Sequence, residues 1–225
     1  KALENKNVAG FLVEPIQGEA GVLVPDDGYL TRARQLCTDA NVLVIADEIQ
    51  TGLARTGKML ACDHAEVRPD ILLLGKALSG GLLPVSAVLA DDEIMLTIQP
   101  GDHGSTYGGN PLACKVAMEA LQVLVDEGMA ENAAAMGTLL RQELAAIQSP
   151  FISLIRGKGL LNAIVIKHRD PEAAWNLCLE LKENGLLAKP THGDKIRFAP
   201  PLLITASQIR DCVQIIAKSL EKLKA

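Results

Sequence analysis

Two short aliphatic runs organise the first third of the chain. Val42-Leu43-Val44-Ile45-Ala46 ends on Asp47 and Glu48, and Ile71-Leu72-Leu73-Leu74-Gly75 ends on Lys76. Short aliphatic runs bounded by turn formers predict strands buried on both faces. Val8 to Glu14 and Val85 to Ala90 predict two further strands. Gly28 to Ala40 has helical spacing, with Leu30, Ala33, Leu36 and Cys37 on one face and Asp27 as the N-cap. The order strand, helix, strand from Val8 to Ala46 predicts a β-α-β unit with a right-handed crossover. Asp91-Asp92-Glu93 place acids at the positive end of a short helix. Asn110-Pro111 opens a long one, with Leu112, Val116, Ala120, Val123 and Leu124 on its apolar side.

Gly128 marks the expected boundary between a sheet domain, residues 1–128, and a smaller domain, residues 129–225. In the second, Glu131 to Ile147 predicts an Ala-rich amphipathic helix. Ile152 to Ile155 and Leu160 to Ile166 predict strands joined by the turn Arg156-Gly157-Lys158-Gly159. Asp170-Pro171 starts a helix that runs to Glu183 and is stopped by Gly185. Leu186 to Lys189 and Ile196 to Ala199 predict short strands around His192-Gly193-Asp194, and Thr205 with Gln208 forms a capping box for the last helix. The expected architecture is α/β, a mostly parallel sheet flanked by helices, followed by a small α+β domain.

Composition narrows the function. With 48% hydrophobic and 22% charged residues, the 225-residue chain has an ordinary globular balance. A net charge of −5 supplies no basic field for nucleic acid or an acidic membrane surface. No apolar run approaches the roughly 20 residues of a membrane span. Cys37, Cys62, Cys114, Cys178 and Cys212 are scattered and odd in number. That pattern predicts reduced thiols in an intracellular protein, with neither a disulfide frame nor a metal site.

An acid and a lysine just past the C-terminal ends of two strands lie on the edge where open α/β sheets bind ligands. A partly desolvated lysine has a lowered pKa, and its neutral amine can form a Schiff base. Pyridoxal phosphate needs such a lysine, and an acid that keeps its pyridine nitrogen protonated. The plainer alternative makes Asp47 a helix cap or turn former and Lys76 a solvated side chain. A rival motif, Gly52-Leu-Ala-Arg-Thr-Gly57-Lys58, fits the spacing of a nucleotide-binding P-loop. It is followed by Met59, which offers no hydroxyl to Mg²⁺, and no strand feeds directly into Gly52. Gly101 to Pro111, rich in Gly with Ser105 and Thr106, could cradle a phosphate or be a plain surface loop.

Asp47-Glu48-Ile49-Gln50-Thr51-Gly52, followed by Leu74-Gly75-Lys76-Ala77-Leu78-Ser79-Gly80-Gly81, resembles the core signature of the class III (ω-amino acid) aminotransferases. The phrases Gly18 to Val22, Gly104 to Pro111 and Arg156 to Ala163 are most similar to the ornithine-specific branch of that family. The resemblance runs from Val8 to the C-terminus. It implies the type I fold of pyridoxal-phosphate-dependent transferases, with roughly as many residues again before this stretch. It makes Lys76 the cofactor-bearing lysine and Asp47 the partner of the pyridine nitrogen. Ile49 would pack on the ring, and Gln50 would hydrogen-bond near its phenolic oxygen. Ser105 and Thr106 would reach across a homodimer interface to the partner subunit's cofactor phosphate. Glu19 and Arg197 would form a substrate gate.

The implied activity moves the δ-amino group of L-ornithine to 2-oxoglutarate, giving glutamate-5-semialdehyde and glutamate, in the mitochondrial matrix or cytoplasm. The alternatives are a relative acting on acetylornithine, 4-aminobutyrate or lysine, an aminomutase on the same fold, or a module that is catalytically incomplete by itself.

Overall fold

In the computed structural model, which describes residues 2–223, two compact units account for the chain. The first comprises Lys1–Pro15, Pro25–Leu53 and Lys58–Gly128, and the second Ile16–Val24, Ala54–Gly57 and Met129–Ala225. One of the breaks between these units falls after Gly128. Two earlier stretches, around Glu19 and around Arg55, nevertheless belong with the later part of the chain.

The first unit is built on a four-stranded sheet of order β1-β2-β3-β4, with β1 Gly10–Val13, β2 Leu43–Asp47, β3 Ile71–Leu74 and β4 Ala87–Ala90. β1 and β2 are parallel, as are β2 and β3, while β4 is antiparallel to β3. Helix α1, Tyr29–Asp39, joins β1 to β2. Its N-cap is Gly28 in the left-handed conformation, not Asp27, and no side chain caps it.

In this chain by itself, one face of the sheet is covered more fully than the other. Val13, Val44, Ala46 and Leu74 are buried, whereas Leu12 and Val88 are exposed and Leu43, Ile45, Ile71 and Leu73 are half-buried. Leu30 of α1, Cys62 and Val67 pack with Val13 and Ala46. After the short helix α2, Asp92–Met95, comes α3, Pro111–Asp126, capped by Asn110 Oδ1, which accepts from the Leu112 and Ala113 N–H groups. Its buried face is Ala113 and Ala117, the latter packing with Leu53, Leu74 and Leu78, while Leu112 is exposed.

The second unit is an antiparallel sheet of order β5-β6-β8-β7, with β5 Ile152–Lys158, β6 Leu161–Ile166, β7 Lys189–Thr191 and β8 Lys195–Phe198. Helices α4 Met129–Ala146, α5 Ala173–Glu183 and α6 Ala206–Leu220 complete it. Leu140, Leu144, Leu177, Leu181, Ile209 and Ile216 from these helices join Ile164, Ile196 and Phe198 in one core. Two differences from the sequence reading matter here. β5 runs through the expected turn as far as Lys158, and β7 begins at Lys189 instead of ending there. Together they set the register Arg156↔Ala163↔Arg197↔Lys189 across all four strands.

Candidate active site

Parallel pairing brings the C-terminal ends of β2 and β3 side by side. Asp47 is opposite Leu73, and Lys76 follows three residues later. The Asp47 carboxylate is half-buried, and its Oδ1 accepts from the Ile49 N–H at 3.0 Å. This local bond fixes the first turn of the loop after β2. Lys76 begins a 3-10 turn, Lys76–Ser79, with the left-handed φ of 45°. A non-glycine residue in that region is strained, and such strain gathers at functional positions. Gly75 behind it is extended, and a Cβ there would lie 3.4 Å from Ile49 Cγ2, so Ile49 packs against the backbone that carries the lysine. Gln50 is half-buried in the same loop.

Glu48 anchors that loop. Its side chain is buried among polar partners. Oε1 accepts from the Cys62 N–H at 2.7 Å, and Oε2 accepts from the Thr51 hydroxyl. Gly52 closes the turn by donating to Glu48 O at 2.9 Å, and a Cβ at Gly52 would meet that same oxygen. Burial, then the adjacent Glu48 carboxylate, pushes the Cys62 thiol well above its ordinary pKa.

Beside the lysine lies a cavity of about 790 Å³ lined by Lys76, Leu82, Ser86, Tyr107, Gly108 and Asn110 among others. Ser105 and Thr106 do not line it. They sit on the exposed 101–110 loop, where Ser105 Oγ accepts from the Gly108 N–H at 2.8 Å.

Glu19 and Arg197 meet within the second unit. Arg197 Nη1 donates to Glu19 Oε1 at 2.5 Å. Lys189, which the sequence reading passed over, donates from Nζ to Glu19 Oε2 at 2.9 Å. The P-loop reading fails on structure. Among the described residues, Gly52 to Lys58 leads only into a 3-10 turn, Ala61–Ala65, and Arg55 instead donates to the Leu160 and Pro200 carbonyls.

Known proteins resemble this chain along nearly all of its length. The class-III aminotransferase family model matches residues 1–220. Mitochondrial ornithine aminotransferase of Rattus norvegicus is 66% identical over 98% of this chain and 50% of its own length. Among solved structures, an acetylornithine aminotransferase from Elizabethkingia anophelis superposes with a TM-score of 0.94 at 59% identity, covering 99% of this chain and 57% of that one. An ornithine aminotransferase from Toxoplasma gondii, described with partial occupancy of PLP at its active site, gives a TM-score of 0.93 at 54% identity over 98% and 52%. The chain spans about half the length of the curated relatives it matches.

Proposed function

The chain belongs to the class III aminotransferases, and from that membership we propose that it takes part in pyridoxal-phosphate-dependent transfer of the δ-amino group of L-ornithine to 2-oxoglutarate. The observation that carries the reading is the pairing of Asp47 and Lys76 at the ends of adjacent parallel strands, the edge where such sheets bind ligands. The relative from rat, named for ornithine, supports the choice of donor.

The residues present fit the cofactor. Lys76 offers an amine to an aldehyde, Asp47 offers a carboxylate to a ring nitrogen, and Ile49 lies against the backbone behind the lysine, where a flat ring needs an apolar wall. When bound, the cofactor supplies an electron sink that stabilises negative charge on the substrate carbon. The chain's own residues do the rest. Lys76 Nζ would carry the proton from the amine-bearing substrate carbon to the cofactor carbon on the far side of the nitrogen. Asp47 holds a proton on the ring nitrogen, and the Ile49 N–H keeps its carboxylate turned to that task. Gln50 donates near the phenolic oxygen. Ser105 and Thr106 serve a phosphate held by the partner subunit, so the functional form is a homodimer. Glu19 masks Arg197 while ornithine is bound and releases it to the carboxylate of the oxo acid, which an arginine can hold bidentately.

The 59% identity with an acetylornithine aminotransferase favours one second reading, in which the donor carries an acyl group on its α-nitrogen. Visible absorption of the protein with pyridoxal phosphate tests both. We expect a yellow band that L-ornithine bleaches and that Lys76→Ala lacks. Bleaching by N-acetylornithine but not ornithine would move the assignment to the second reading. A folded protein with no band would overturn both.

A further inference from the structure

The register of the second sheet puts three cations in one row. Arg156, Ala163, Arg197 and Lys189 are directly opposed across β5, β6, β8 and β7, and opposed residues share a face. The other face carries Ile164 and Ile196 into the core. The row is therefore a cationic strip with one small residue, Ala163, in its middle.

The 16–24 loop lies on this strip and is fastened to it by its backbone. Ile16 and Val22 pack with Leu161 and Ala163. Arg156 Nε donates to Gly21 O at 2.8 Å, and the Thr191 hydroxyl donates to Glu19 O. Gln17 and Leu23 close the loop on itself with a pair of backbone hydrogen bonds of 3.1 and 2.9 Å. Gly21 has a φ of 94°, and a Cβ there would fall 2.3 Å from Lys195 Cδ, so the loop lies close on β8 and a side chain at that point would be strained. With the backbone held this way, opening of the gate falls to the Glu19 side chain.

That side chain has its two oxygens divided between two unlike cations. The Arg197 side chain is 14% exposed, whereas Lys189 is 58% and Glu19 55% exposed. A largely buried guanidinium requires an anionic partner at all times. An exposed lysine pair is weak and easily remade, worth roughly two- to fivefold in an equilibrium. We propose that Lys189 is the catch of the gate. It retains the Glu19 carboxylate when an incoming carboxylate takes over Arg197, and so lowers the cost of opening. The proposal rests on the reading of Glu19 and Arg197 as a gate. It adds a positioning residue that sets selectivity for the dicarboxylic substrate without touching it.

The test uses glutarate, an unreactive dicarboxylate, titrated calorimetrically into the holoenzyme. Lys189→Gln should weaken glutarate binding roughly two- to fivefold, and Lys189→Arg should restore it. Glu19→Gln should tighten glutarate binding, because the mask is gone. In the Glu19→Gln background, Lys189→Gln should then have no further effect, since no carboxylate is left to catch. Lys189→Gln should also shift the ratio of the two half-reactions against the oxo acid. If Lys189→Gln weakens glutarate equally in both backgrounds, or in neither, the catch is wrong while the gate stands. If Glu19→Gln fails to tighten glutarate, the gate reading itself falls.

Discussion

Glu48 sits next to the acid assigned to the cofactor, yet its work is different. It is 1% exposed and ties Thr51 and the Cys62 N–H to the loop that carries Ile49 and Gln50. Glu48→Ala would leave the buried Cys62 N–H without its acceptor, a loss of roughly 1–3 kcal/mol. Urea unfolding should show that loss, and an unchanged midpoint would remove the anchor role. Asp47 and Lys76 were legible in the sequence because each closes an aliphatic run, so strand ends could be located from hydropathy alone. Lys189 was not. Its partner is fixed by the cross-strand register of β7 and β8, and a strand placed at Leu186 to Lys189 instead of Lys189–Thr191 hides that register. Glu48 shows in the sequence as a second carboxylate after the run and as part of a motif, but nothing local announces that it will be buried against a segment fourteen residues on.

Elements met the sequence reading most closely where caps are explicit. Thr205 and Gln208 form the reciprocal capping box expected of them, with Thr205 N donating to Gln208 Oε1 at 2.9 Å. The reading failed at one pair of glycines. Arg156-Gly157-Lys158-Gly159 looks like a turn, but Gly157 continues β5, its φ of 152° letting the strand pass Asn162 where a Cβ would lie 2.4 Å from Oδ1. Close approach also explains Gly137 in α4. A Cβ there would fall 1.8 Å from Gly159 O, a backbone atom that cannot step aside. Gly137→Ala should therefore force α4 away from the β5–β6 turn at a cost of about 3 kcal/mol or more. Thermal unfolding measures this directly, and a wild-type midpoint would contradict the packing. In the first unit, Asp70 clamps α1 to β2 by accepting from Arg34 and from the Val44 N–H. Burial alone would raise its pKa, but the Arg34 hydrogen bond, the Val44 N–H and the nearby positive charges outweigh burial and hold it below the ordinary value. A depressed folded pKa means stability that is fully present above the unfolded value of about 3.9 and lost as pH falls through the folded one. The acid limb of a pH–stability profile should flatten in Asp70→Asn. The same slope in variant and wild type would show that the clamp carries no protonation linkage.

At the scale of the whole chain, two features were out of reach of a residue-by-residue reading. The first is the uneven cover of the first sheet in this chain. Leu12 is 61% and Val88 56% exposed, although their strands read as apolar throughout. Hydropathy reports what a residue would bury, not whether anything lies against it. The second is the ownership of the 16–24 and 54–57 stretches, which belong to the later unit. Arg55 and the Glu19 loop are tied to that unit by hydrogen bonds spanning more than a hundred residues of sequence. For the gene this has a plain consequence. No uninterrupted reading frame that starts after the codon for Gly128 encodes the second unit whole, because the codons for its 16–24 loop and for its Arg55 tether are dispersed among those of the first. Exchange of that unit between relatives by a single recombination event would therefore separate Arg197 and Lys189 from the glutamate they hold.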